Sequence, residues 1–176
     1  MTRVLSEQEL VRRESLQKLR DLGVDPYPAD LFDVNTTSKQ IKEKYKEGEE
    51  LNVVLAGRLM SRRIMGKASF AELKDAQGSF QLYLNRDEIC TGEDKTLYNL
   101  VFKKLLDRGD FIVIKGVTFL TKVGEPSVKV LEFKVLSKAF RPLPAVKTDE
   151  EGNVHDAFSD PELRYRMRYV DLCVND

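Results

Sequence analysis

A phenyl ring, a phenol, a carboxamide and a run of guanidinium groups fall within the segment from Val53 to Asp87, where the residue pattern reads as a strand meander. In Phe70-Ala71-Glu72-Leu73-Lys74, side chains alternate across a sheet, so Phe70 shares the polar face with Glu72 and Lys74 while Ala71 and Leu73 face the core. In Ser79-Phe80-Gln81-Leu82-Tyr83-Leu84 the apolar set is Phe80, Leu82 and Leu84, which leaves Gln81 and Tyr83 on the opposite side. Arg58, Arg62 and Arg63 stand on or just after the preceding strand, and Gly66 and Lys67 form the loop between the first two strands. An aromatic face to stack a base, an amide to read its edge and cations for phosphates are the parts that single-stranded RNA recognition uses. Stacking contributes roughly 1–3 kcal/mol per base and tolerates any sequence, whereas the amide, with donors and an acceptor, discriminates. The arginines read equally as a solvated charge cluster at a strand end.

The elements that must position these groups follow from local signals. Ser6-Glu7-Gln8-Glu9 is a capping box that starts a first helix, which Gly23 and Asp25-Pro26-Tyr27-Pro28 end. On it Val11, Leu19 and Leu22, joined by Leu16, form the stripe expected to dock, with Arg13, Gln17 and Arg20 on a free neighbouring face. A second short helix is expected from Thr37 or Ser38 to Gly48, packed down by Ile41 and Tyr45. Period-two patterning then begins at Leu51, with a hairpin turn at Gln77-Gly78. Glu93 to Arg108 carries Leu97, Leu100, Val101 and Leu105 at helical spacing, and two more strands, Phe111 to Thr121 and Ser127 to Lys138, follow. In the last strand the alternation slips at Val130-Leu131, which predicts a β-bulge.

Three strands, a helix and two strands is the order of an OB-fold, a five-stranded Greek-key barrel whose face around strands two and three binds oligonucleotides. The fold expected is therefore mainly β with helices: a helical extension over 1–50, the barrel over 51–144, a polar linker over 145–160 and a new element over 161–176. In that last segment Arg164, Arg166 and Arg168 alternate with Tyr165, Met167 and Tyr169.

Composition narrows the function. Lys plus Arg balances Asp plus Glu at 29 each, so any nucleic-acid site must come from local clustering. Two distant cysteines, Cys90 and Cys173, and the single His155 supply neither a disulfide framework nor a Cys/His zinc site, and they fit a reducing compartment. No long apolar span or leader-like segment appears, so a soluble cytoplasmic protein without a membrane partner is expected. No phosphate-binding loop, nucleophile elbow or carboxylate pair marks a catalytic centre, and no cofactor or metal site is expected in this segment.

The run GRLMSRRIMGKASF, the D-x-x-G-x-x-Q of Asp75, Gly78 and Gln81, the FRPLP of Phe140 to Pro144 and RYRMRYVDL from Arg164 to Leu172 together resemble the N-terminal part of bacterial-type class II lysyl-tRNA synthetases. The Phe-to-Gln spacing is shared with the related aspartyl and asparaginyl enzymes; MGKASF and RYRMRYVDL tilt the resemblance toward lysine. The resemblance implies that Phe70 stacks on the central anticodon base of lysine tRNA, that Gln81 reads it, and that Arg63, seven positions before Phe70, lies near the anticodon backbone. It further suggests Glu132 as an acceptor for a base donor; from the residues alone, Lys67, Tyr83, Arg58, Arg62, Arg13 and Arg20 are further candidate RNA contacts. It implies a parent that uses ATP and magnesium, forms a homodimer and keeps its catalytic domain beyond residue 161, leaving 161–176 as that domain's truncated start and the segment itself non-catalytic and possible as a monomer. Two other readings stand beside it. A stand-alone single-strand-binding OB protein would bind any pyrimidine-rich oligonucleotide, and a protein-interaction module would dimerise or dock a partner through its first helix.

Overall fold

A computed structural model describes residues 4–45, 48–144, 147–148, 154–155 and 158–175, the two short pairs by backbone alone. The chain divides into two compact units, Met1–Phe140 and Arg141–Asp176.

The first unit is a closed barrel. Strands β1 (Asn52–Met65), β2 (Ala68–Asp75), β3 (Gly78–Asn85), β4 (Phe111–Leu120) and β5 (Pro126–Ser137) close in the order β1-β2-β3-β5-β4, with β3 and β5 parallel and the other neighbours antiparallel. This is the five-stranded OB-fold barrel expected from the strand order. The alternation drives it: Leu55, Leu59, Leu73, Leu82, Leu84, Ile112, Ile114, Val128 and Val130 are all essentially inaccessible to solvent. Closure brings backbones close at two glycines. A Cβ on Gly57 would lie 2.6 Å from the Lys74 carbonyl oxygen, and one on Gly116 would lie 2.2 Å from that of Lys129. The β4–β5 register skips Leu131, since Lys115 faces Glu132 and Gly116 faces Val130; the bulge sits where the sequence alternation slips. The β2–β3 turn is Ala76-Gln77, one residue earlier than expected, with Gly78 opening β3 at φ 146.

The helix between β3 and β4 differs from expectation. After a single turn, α3 (Arg86–Ile89), the main segment begins at Leu97 and is a π-helix, Leu97–Leu105. The Leu106 N–H reaches back to the Val101 carbonyl, while the Phe102 carbonyl, its ordinary α-helical partner, accepts from the Arg62 guanidinium instead. The widened turn buries Tyr98, Val101, Phe102 and Leu105, and the Tyr98 hydroxyl meets Ser69 at 2.7 Å inside the core.

Helix α1 (Glu7–Asp21) carries the capping box of Ser6 and Glu9 and ends in a Schellman turn, with Val24 N–H on Leu19 O and Gly23 N–H on Arg20 O at a Gly23 φ of 73°. Its docking face is not the expected stripe: Val11 and Leu22 are 53% and 40% exposed, and the buried residues are Glu9, Arg12, Ser15 and Leu19. The reason is polar. Arg12 donates to the carbonyls of Ala139 (2.9 Å) and Arg108 (3.1 Å), and such a fully engaged guanidinium anchors the helix without an apolar stripe. Beneath it, the side chains of Lys138 and Asp110 are wholly buried as an ion pair at 2.8 Å; Lys138 also binds Asp107, and Asp110 takes the N–H groups of Asp107 and Ala139. Burial pushes the Asp110 carboxyl above its usual range, with Lys138 and these N–H donors opposing the shift. The Tyr27 hydroxyl closes the cluster on the Lys138 carbonyl at 2.8 Å.

Helix α2 (Ser38–Lys44) has Thr37 as N-cap in a second capping box and sends Ile41 into the barrel core.

In the second unit, α4 (Pro161–Arg166), capped by Asp160, and α5 (Arg168–Val174) meet at Met167. Arg164 of α4 and Arg168 of α5 both reach the Asp171 carboxylate, so the basic alternation read in sequence serves a helical pair. Hydrogen bonds from Asn175 and Arg164 hold that carboxyl below its usual range. Most of the expected linker, including the side chain of His155, lies outside the described residues; within it Lys147–Thr148 pairs with Val154–His155. Among the described residues no helix is long and apolar enough to cross a membrane.

The buried cluster makes a direct prediction. Lys138→Met strands the Asp110 carboxylate and lowers stability by about 3–5 kcal/mol near neutral pH. Without Lys138 the folded pKa of Asp110 rises further, so the variant regains stability as pH falls below the folded pKa, most fully below about 3.9, where the carboxyl is protonated in both states, and loses it as pH rises through the folded pKa. Urea unfolding of both proteins across that pH range measures the effect.

Candidate nucleic-acid interface

Register builds the site. Across β1, β2, β3 and β5, Arg63 faces Phe70, Phe70 faces Tyr83 and Tyr83 faces Lys129; in the adjacent row, Ser61 faces Glu72, Glu72 faces Gln81 and Gln81 faces Ser127. Because Ala71, Leu73, Phe80, Leu82 and Leu84 fill the core, both rows lie on the outer face. The Phe70 and Tyr83 rings stand 5.3 Å apart at 55°, and Phe119 of β4 meets Tyr83 edge-on at 5.8 Å, so three rings form a strip across the sheet.

An open cleft of about 770 Å³ lies over this face. Phe70 and Gln81 line it, Ser61 and Arg63 stand on the β1 side, Glu125 and Pro126 come from the β4–β5 turn, and Lys42 comes from α2. Arg63 is exposed and, among the described residues, takes no ion pair or hydrogen bond. Glu72, which accepts a 3.5 Å bond from Ser61, and Glu125 keep the cleft from being a plain cationic groove. A carboxylate there repels phosphate and favours a ligand that brings a donor.

The Gln81 amide is held at both ends. Its Oε1 accepts from Ser127 Oγ at 2.7 Å and its Nε2 donates to Glu125 Oε2 at 3.0 Å. A carboxylate only accepts, so turning the amide over would set Oε1 against Glu125. The remaining lone pair and the remaining N–H are thus presented in one fixed order, an acceptor beside a donor.

Of the residues singled out in the sequence, the structure brings Phe70, Gln81, Tyr83 and Arg63 together. The others lie elsewhere. Arg58 donates to the Gly109 carbonyl at 2.8 Å and lies over the Phe111 ring at 4.3 Å. Arg62, next to Arg63 but opposite Ala71, turns to the π-helix, where burial lowers its pKa. Glu132 pairs with Lys115 at 2.9 Å beside the bulge. Lys67 is exposed at the β1–β2 turn, Arg13 lies over Phe140 at 4.8 Å, and Arg20 is exposed on α1; none of the three lines the cleft. Lys42, Ser127, Glu125 and Phe119 escaped the sequence reading, because each reaches the site from an element distant in the chain. Among the described residues no three His, Cys, Asp or Glu side chains converge to hold a metal ion.

Known proteins resemble this chain both over the barrel and over nearly its whole length. Residues 53–136 match the model of a family described as OB-fold nucleic acid binding domain, of the tRNA anticodon type. The chain is 64% identical over 171 residues to the lysine–tRNA ligase of Christiangramia forsetii, covering 97% of this chain and 30% of that protein. The lysine–tRNA ligase of Porphyromonas gingivalis is 58% identical over 174 residues, with the same coverage, and that of Azobacteroides pseudotrichonymphae is 53% identical over 173 residues, covering 98% of the chain and 34% of the relative. The chain therefore spans about a third or less of the length of these relatives.

The two-point hold on Gln81 has a consequence in the free protein. Ser127→Ala removes the donor to Oε1, and the side-chain amide order parameter of Gln81 falls from near the value of ordered backbone, about 0.85, toward less than about 0.6. Side-chain ¹⁵N relaxation on both proteins checks it.

Proposed function

We propose, from the premise that residues 53–136 belong to the OB-fold nucleic acid binding domains and that the chain is homologous to part of the lysine–tRNA ligases, that this segment binds the U-rich anticodon loop of lysine tRNA. The observation that carries the reading is the joint placement of Phe70, Tyr83, Gln81 and Arg63 on one cleft-lining face. A base stacks on Phe70, Tyr83 braces that ring from the side, and Arg63 meets the adjoining phosphate. Uracil presents an N3–H donor beside an O4 acceptor, the complement of an acceptor beside a donor. Cytosine presents the reverse, an N3 acceptor beside an amino donor, and would need the inverted amide that Glu125 opposes. Gln81 thereby selects uracil, and Glu125 selects through Gln81.

Arg58 and Arg62 take part in this reading by holding β1 to its neighbours, and Lys67, Arg13, Arg20 and Glu132 border the RNA outside the cleft. Attachment of lysine with ATP and magnesium belongs, in this proposal, to the rest of the ligase's length, and the setting is the cytoplasm, where tRNA is charged.

Titration at fixed moderate salt of stem-loops carrying UUU or UCU tests the proposal. The wild type prefers UUU. Phe70→Ala weakens both loops by the loss of roughly 1–3 kcal/mol of stacking, about five- to 150-fold. Gln81→Ala, and more mildly Glu125→Gln, narrows the gap between the loops. Equal binding of both loops by the wild type would overturn the reading and favour a sequence-tolerant single-strand binder.

A further inference from the structure

Helix α2 belongs to the extension ahead of the barrel, yet it is built into the recognition hairpin. Asp75, the last residue of β2, accepts the Ser38 N–H at 2.6 Å on one oxygen and, on the other, the Ser38 hydroxyl at 2.7 Å and the Gln77 N–H at 2.8 Å. Thr37 Oγ1 donates to Gln77 Oε1 at 2.8 Å. Gly78 completes the joint: its φ of +146° disfavours a side chain, and a Cβ there would stand 3.4 Å from Ser38 Oγ. The D-x-x-G-x-x-Q run thus does two things. Asp75 and the intervening Gln77 fasten α2 to the hairpin, and Gln81 lines the cleft.

Fastened there, α2 has one orientation. Ile41, 1% exposed, points into the barrel core, and the next residue, turned by about 100° around the helix, is Lys42, which lines the cleft. Lys39 is committed to Glu43 at 3.9 Å, whereas Lys42, among the described residues, makes no ion pair or hydrogen bond. The cleft therefore has a cation on each of two sides, Arg63 from β1 and Lys42 from α2, with Phe70 and Gln81 also lining it.

We propose that Lys42 is a phosphate ligand for the single-stranded segment whose base lies on Phe70 and Gln81, making α2 a wall of the RNA site rather than a packing element alone. This rests on the RNA-reading proposal above. A base laid flat in the cleft sends its sugar-phosphate chain toward the sides, where each cation meets one passing phosphate. An ammonium on a flexible four-carbon stem suits a backbone that changes path between loops, because it binds as a point charge without the fixed fork of a guanidinium. Such a contact adds affinity without reading sequence.

The test is the salt dependence of UUU stem-loop binding by the full chain as wild type, Lys42→Ala, Lys42→Arg and Lys44→Ala. Lys44 lies two residues on around the same helix and does not line the cleft, so it controls for net charge. Lys42→Ala is expected to weaken UUU and UCU loops by the same factor and to reduce the slope of log affinity against log salt by about one unit, with Lys42→Arg restoring the slope and Lys44→Ala leaving it at the wild-type value. A wild type that prefers UUU, with a slope unchanged in Lys42→Ala, overturns the Lys42 assignment alone. A wild type that binds UUU and UCU equally overturns the reading beneath it, and the assignment with it.

Discussion

Everything proposed for this molecule depends on the register of β2 against β3. Phe70 opposite Tyr83 and Glu72 opposite Gln81 put a stacking ring and a reading amide side by side on the outer face. A slip of one residue would exchange the faces, burying Phe70 and Gln81 and exposing Leu73 and Leu82. The core resists that slip, because Leu73, Leu82 and Leu84 are at most 1% exposed and each belongs to a barrel closed on all sides. The hairpin turn is fixed from outside as well, by Asp75, which binds both the turn and α2. Specificity in the cleft is thus a by-product of apolar packing one layer below it.

A second constraint holds the extension to the barrel. The paired Lys138 and Asp110, with Arg12 on the carbonyls of Ala139 and Arg108 and Tyr27 on that of Lys138, knit α1 to the point where the chain leaves β5. Apolar packing could hold a helix there, but with little preference for one rotation over another. Directed bonds to named backbone oxygens select one placement, and the buried charges tolerate no other, since an unpaired ion in that interior is costly. The direction of the first unit's last residues, Ala139 and Phe140, is set by this cluster.

The parts of this design that were legible in the sequence are those carried by short-range pattern. Alternation in FAELK and SFQLYL gave the faces, Ser6 and Glu9 gave the start of α1, and the slip at Val130-Leu131 gave the bulge. What was not legible comes from long-range pairing. Ser127 and Glu125 reach Gln81 only because β5 runs parallel to β3, an adjacency that local spacing does not encode. Arg62 and Arg63 read as one cluster, yet neighbours on a strand face opposite ways, and only Arg63 reaches the cleft. The anchoring role of Arg12 carried no sequence signal because its partners are backbone carbonyls, which leave no mark on sequence. The π-helix was likewise hidden, since its extra width follows from a guanidinium placed by β1.

Recognition in the cleft turns on one particular base sitting on Phe70. Solution NMR of the chain bound to a UUU anticodon stem-loop, with the central uridine alone isotope-labelled, addresses it directly. Nuclear Overhauser contacts from the H5 and H6 protons of that uridine to the ring protons of Phe70, with Gln81 side-chain amide protons shifted in the same complex, are the expected result. Contacts from that uridine to residues off the β2–β3 face, with the Phe70 ring unperturbed, would contradict it.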